Sequence, residues 1–170
     1  MLAYTLLILT VAAERLVELV VSKRHAAWAL ANGGREYGRA HYPYMVALHT
    51  ALLVGCLAEV WLLDRPFLPA LGWTMLALVA ASQALRWWCV TTLGRRWNTL
   101  VIVVPGLPLV DRGPYRWLKH PNYLAVVIEG FALPLVHTAW LTALTFTLLN
   151  LALLTVRIRV ENTALAEATA

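Results

Sequence analysis

Charge is what this sequence has least of. Only 14% of its 170 residues are Asp, Glu, Lys or Arg, while 61% are hydrophobic; an ordinary soluble domain carries about 25% charged residues. With a mean hydropathy of +0.67, this excludes a soluble globular domain and points to an integral membrane protein. Polar or flexible linkers, internal repeats and low-complexity tracts are also missing, and a chain of this length favours one domain spanning 1–170. Cysteine is scarce. Cys56 and Cys89 lie in separate apolar segments with neither CxxC nor metal-ligand spacing, so they read as small buried hydrophobes. The formal net charge of +5 does not argue for nucleic acid. The cations flank apolar spans, where anionic lipid headgroups and the positive-inside rule account for them.

What the chain does have is long apolar runs. A bilayer crossing needs about 20 mainly apolar residues, and runs near 2–21, 43–63, 67–90, 122–137 and 138–156 qualify. The expected fold is therefore all-α, with about five transmembrane helices. The last two meet at "VHTAW" (136–140) as a helical hairpin whose first arm is kinked by Pro134. Lys23, Arg24, Arg35, Arg39, Arg95, Arg96, Arg112, Arg116, Lys119, Arg157 and Arg159 cluster at one side, against Arg65 alone at the other. This asymmetry puts the N-terminus outside and places the 22–42 loop, the 91–121 loop and a C-terminal tail in the cytoplasm. Trp61, Trp73 and Trp140 mark the outer boundary; Trp87, Trp88, Trp97 and Trp117 mark the inner one. The first run lacks a basic start and carries Glu14, Arg15 and Glu18, so it is not expected to be a cleaved signal peptide.

Ionisable groups at bilayer depth are costly and call for partners. Glu14 and Glu18 share a helix face, and Arg15, about 100° away, is expected to pair with Glu59 or Glu129. Arg86 is placed to snorkel toward phosphates. His49, Gln83 and Asn150 read as interhelical hydrogen-bonding residues. Glu129 either lines a lipid entrance or pairs with Arg86 or Arg15.

The stretch "VPGLPLVDRGPYRWLKHPNY" (104–123) is different in kind. Its prolines and glycines forbid a continuous helix and stiffen a loop. Stiffness lets a loop hold a ligand without losing entropy each time it binds. Pro121 suits the first turn of the next helix, whose unpaired N–H groups form a natural carboxylate site. Residue by residue, Tyr115, His120 and Tyr123 could equally be interfacial aromatics, with Arg116 and Lys119 on lipid phosphates.

Together, "LRWWCVTTLGRRWNT" (85–99), "PGLPLVDRGPYRWLKHPNYLAVVIEG" (105–130) and "RIRVEN" (157–162) resemble the isoprenylcysteine carboxyl methyltransferase family of integral membrane enzymes. The N-terminal half resembles a bacterial branch associated with type III polyketide synthases, whose members O-methylate long-chain alkylpyrones or alkylresorcinols. The resemblance implies N-terminal helices in 1–84 and a cofactor-binding half in 85–170. It implies S-adenosyl-L-methionine at the cytoplasmic face, held by Leu107, Pro108, Leu109, Val110, Tyr115, His120, Pro121, Asn122 and Tyr123. It further implies catalytic roles for Arg159, on the substrate side, and Glu161, which also belongs with the cofactor. A lipophilic acceptor would come from the bilayer. The tail departs from the family's longer acidic run, since Asn162 and Thr163 follow Glu161.

Methyl transfer from a sulfonium is an in-line displacement in which positioning supplies most of the catalysis. The protein then needs no nucleophile of its own, which accounts for the lack of a Ser-His-Asp set, a metal cluster or a phosphate loop. A carboxylate acceptor is already ionised at pH 7 and would be held by an arginine. A phenol needs a base or a depressed pKa, and a pyrone enol needs less; His120 is a candidate base. Prenylcysteine carboxyl methylation, an NADPH-dependent membrane reductase and a non-enzymatic lipid-binding bundle remain the competing readings.

Overall fold

A computed structural model of the chain describes residues 1–169. Five helices dominate: α1 (Leu2–Ala31), α2 (Tyr42–Leu62), α3 (Pro69–Leu93), α4 (Pro121–Leu135) and α5 (Trp140–Thr169). Two three-residue strands, β1 (Arg35–Tyr37) and β2 (Val101–Val103), pair antiparallel with Arg35 opposite Val103. Two helical segments, 39–62 and 140–168, are long and apolar enough to cross a membrane by themselves. α4 is apolar but has only 15 residues. α1 and α3 carry the ionisable groups discussed below.

Helix boundaries follow local chemistry more than bilayer depth. The expected loop from 22 begins as helix, because α1 runs on through the helix-forming "AAWALA" and stops only at Asn32 and Gly33 (φ 81°). α3 ends at Gly94, which takes a positive φ of 55°. Pro121 opens α4, and α4 closes one residue after Pro134, so the hairpin connection is 136–139. The expected tail is also helix: α5 continues unbroken from Trp140 through 157–162 to Thr169, across residues rich in Ala and Leu.

α4 is the central element, packed between α3 and α5, with α2 against α5. The α4–α5 contact depends on a missing side chain. A Cβ on Gly130 would stand 2.0 Å from Phe146, and Phe146 belongs to the core with Ile8, Val60 and Leu133. Gly130→Ala should therefore destabilise the protein by about 1–3 kcal/mol through overpacking. Thermal unfolding in detergent checks this, and a Gly130→Ala/Phe146→Leu double variant should recover part of the loss.

The polar groups inside the bundle are bonded to one another. Arg15 donates to both Glu129 oxygens (3.0 and 3.1 Å), to Gln83 (2.9 Å) and to Glu18. Arg86 does not snorkel. It is 6% exposed and donates to Glu129 at 2.6 Å. Glu14 accepts from Gln83 and Trp87. Three carboxylates and two guanidiniums thus tie α1, α3 and α4 together, and Glu129 is committed to that network. Glu59 takes a different partner from Arg15. It accepts from the Leu141 and Thr142 backbone N–H groups (3.2 and 2.7 Å) and from Arg65 (3.0 Å), capping the positive end of α5. His49 is bonded to the Met45 carbonyl of its own helix, at 2.8 Å. Trp97 is not an interfacial residue. It is 3% exposed, and its carbonyl meets His25 Nδ1 at 2.8 Å.

Candidate active site

At the end of the bundle where α3 gives way to the 94–120 connection, a cavity of about 520 Å³ opens, within the range of small-molecule sites. Three layers of structure build it. β2 forms one wall and is held by its ladder with β1. That ladder ties the wall to the α1–α2 connection. Ser22 of α1 anchors the approach to β2, bonding Asn98 (2.8 Å) and Thr99 (2.7 Å). The strap 107–110 forms a second wall, and the start of α4 with one face of α5 forms the third.

Of the residues expected at the site, Leu107, Pro108, Leu109, Val110, Tyr115, His120, Asn122, Tyr123 and Glu161 all line this cavity. Pro121 is fully buried behind the lining as the first residue of α4. Arg159 is exposed and lies outside the lining, whereas Arg157 is 5% exposed and lines it. The reason is periodicity. On an extended tail, 157, 159 and 161 would share one side. On a helix, Arg157 and Glu161 share a face at i, i+4, and Arg159 points about 160° away. The i, i+4 spacing was the available signal for Arg157, and it becomes decisive once α5 is known to continue.

The polar centre is compact. Tyr123 donates its hydroxyl hydrogen to Glu161 and accepts from Arg157 Nε at 2.8 Å. The Arg157 guanidinium also lies over the Tyr123 ring at 5.6 Å and meets Met45 Sδ at 3.1 Å. His120 stacks on Tyr123 with ring centroids 5.3 Å apart. Its Nε2 bonds Asn162 Oδ1 at 3.1 Å, and its Nδ1 faces Glu161 at 3.6 Å. The start of α4 and the end of α5 are therefore fastened by five side chains. Burial, with the Cys89 thiol beside it, pushes the Tyr115 phenol above its ordinary pKa, so Tyr115 is a neutral hydroxyl at the cavity wall.

The lining suits a ligand that is both zwitterionic and aromatic. Glu161 and Asp111 offer negative charge, Arg96, Arg116 and Lys119 offer positive charge, and 101–104 with 107–110 offer apolar surface. Asn122 Oδ1 is buried without a hydrogen-bond partner, which leaves an acceptor ready for an amino or hydroxyl donor. These features fit S-adenosylmethionine, with its amino-acid end, ribose and adenine. Among the described residues there is no cluster of His, Cys, Asp and Glu able to hold a metal ion.

The chain is similar to several known proteins. The chain is 39% identical over 165 residues to the uncharacterized protein YpbQ of Bacillus subtilis, covering 96% of this chain and 97% of that one. It is 25% identical over 155 residues to an uncharacterized protein of Haemophilus influenzae, covering 91% and 90%. Its fold is similar to that of a solved eukaryotic intramembrane Ras methyltransferase, isoprenylcysteine carboxyl methyltransferase, with a TM-score of 0.56 and 23% identity. That alignment covers 74% of this chain and 46% of the eukaryotic one, so the chain spans less than half of that protein's length. The family model for isoprenylcysteine carboxyl methyltransferases matches residues 75–167. That match takes in more than half of the chain and every side chain of the polar centre except Met45, so the chain belongs to the isoprenylcysteine carboxyl methyltransferase family of membrane methyltransferases.

Proposed function

We propose that the chain is an S-adenosylmethionine-dependent O-methyltransferase acting on a lipophilic acceptor at the membrane boundary, a long-chain alkylpyrone or alkylresorcinol. The observation that carries the reading is the set of buried Tyr123 and Arg157 with half-buried His120 and Glu161, assembled where a polar cavity meets apolar helices. The cofactor would be held by Glu161, His120, Asn122, Tyr115 and the 107–110 strap, and when bound it supplies an electrophilic methyl group. The protein's part is to exclude water and to fix an acceptor oxygen in line. Arg157 serves that oxygen. Its guanidinium is buried, so its attraction for a phenolate or enolate is weakly screened, and Tyr123, itself bonded to Glu161, holds its orientation. Both His120 nitrogens are engaged by α5, which favours a fastening role on the cofactor side over a base.

The same guanidinium favours a second reading, in which the acceptor is a lipid-borne carboxylate such as prenylcysteine. The basic ends of α1 and α3 and the cavity between them would face the cytoplasm of a bacterial cell membrane, with membrane lipids around the bundle.

The test is calorimetric binding of S-adenosylhomocysteine to the detergent-purified protein. Tyr123→Ala and His120→Ala should each weaken binding at least about tenfold, on the order of one charge-assisted hydrogen bond. Absence of binding in folded wild-type protein would sink the reading. If binding is found, thin-layer separation of labelled lipids then tells pyrone from carboxylate.

A further inference from the structure

Behind the 107–110 strap lies a second cavity, of about 260 Å³, between the end of α3 and the turn that follows the strap. Thr92, Leu93 and Arg96 line one side; Pro108, Leu109, Val110 and Arg112 line the other. Its polar lining is one hydroxyl and two guanidiniums, without a carboxylate. Asp111 lines the first cavity and not this one. The Arg96 guanidinium is held across the strap by its hydrogen bond to the Pro108 carbonyl. The backbone that carries Arg112 is set in place by the turn after it. Gly113 has a φ of 58°, and a Cβ there would stand 2.6 Å from Thr92 Oγ1, so the chain presses against α3 directly beside Arg112. Near this mouth, Leu109 and Trp117 are exposed, and Trp117 packs edge to face on Trp88 at 5.9 Å. Aromatic and apolar side chains beside a pair of cations are the chemistry of the boundary between acyl chains and headgroups.

We propose that this cavity binds a phosphate group between Arg96 and Arg112, supplied by an anionic phospholipid or by a soluble phosphate. Guanidinium forks match phosphate oxygens in pairs, and two arginines line this cavity. Leu93, Arg96, Pro108, Leu109 and Val110 line both cavities, so the strap is a shared wall. A phosphate that draws Arg96 and Arg112 together braces that wall, and binding in the two cavities is thereby coupled in both directions. The coupling rests on the cofactor reading given above; the phosphate site does not.

Native mass spectrometry of the full-length chain tests the site, with phosphatidylglycerol, phosphatidylcholine and inorganic phosphate as probes and Arg112→Gln alongside. The expected result is retention of phosphatidylglycerol over phosphatidylcholine by about fivefold or more, lost in Arg112→Gln. Displacement of the retained lipid by inorganic phosphate, or phosphate binding alone that Arg112→Gln abolishes, would assign the soluble source. Phosphatidylglycerol retention unchanged in Arg112→Gln, with no effect of inorganic phosphate, would overturn the site. In parallel, phosphatidylglycerol should tighten S-adenosylhomocysteine binding severalfold in the wild type and not in Arg112→Gln, whose affinity without anionic lipid should match the wild type. Equal affinity with and without phosphatidylglycerol in the wild type would overturn the coupling. Failure of S-adenosylhomocysteine to bind under any condition, with the lipid preference intact, would remove the cofactor reading and leave the phosphate site standing.

Discussion

Glu129→Leu should cost the fold about 3–5 kcal/mol, the loss typical of removing one partner from a buried ion pair. Glu129 is 5% exposed and accepts from both Arg15 and Arg86. Leucine would leave Arg86, equally buried, facing only the distant Glu18 oxygen at 3.7 Å. At 6% exposure, the unpaired guanidinium has to be buried uncompensated or pull the helices apart. In thermal unfolding the loss should appear as a drop in Tm on the order of 10 °C. Glu14→Gln is the matched control. Glu14 is partly exposed, bonded to a neutral amide and an indole and 3.6 Å from Arg15, so its loss should stay within about 1 kcal/mol. Equal melting of Glu129→Leu and wild type would mean that the network does not support packing.

Arg157→Ala and Arg159→Ala should separate sharply, although the two residues are neighbours but one in sequence. Arg157→Ala should lower methyl transfer by about 10²–10³-fold, the cost of removing a buried donor from a developing or resident oxyanion. Arg159→Ala should change it by less than about twofold, as for an exposed charge. The measurement is transfer of labelled methyl from S-adenosylmethionine into organic-extractable lipid. S-adenosylhomocysteine affinity, followed alongside, should fall less than turnover in Arg157→Ala, since Glu161 and His120 remain. If Arg159→Ala proves to be the inactive variant, the cavity is not where the acceptor oxygen is held.

Those two arginines also show what can be read from a sequence and what cannot. The start of α4 is local: Pro121 opening a helix, His120 before it and Tyr123 just inside it are fixed by short-range rules. Choosing between Arg157 and Arg159 required knowing whether 157–162 is helix or extended tail, a question of period that a six-residue stretch leaves open. α1 shows the same difficulty. Ser22 to His25 looks like the end of a crossing, yet polar residues do not stop a helix, and only Gly33 does. The β1–β2 ladder was out of reach for another reason. Three-residue strands 66 positions apart depend on long-range closure that no local pattern records.

The unbroken course of α5 has a mechanical consequence. Glu59 grips its first turn at Thr142, and the same helix carries Glu161, about 28 Å farther along at 1.5 Å per residue. No proline or glycine lies between them to act as a hinge. Arg157 and Glu161 therefore cannot move apart by local bending on α5. For Glu161 to leave Tyr123 while the helix stays intact, α5 must tilt or slide as a rod, with its pivot at the opposite end of the bundle.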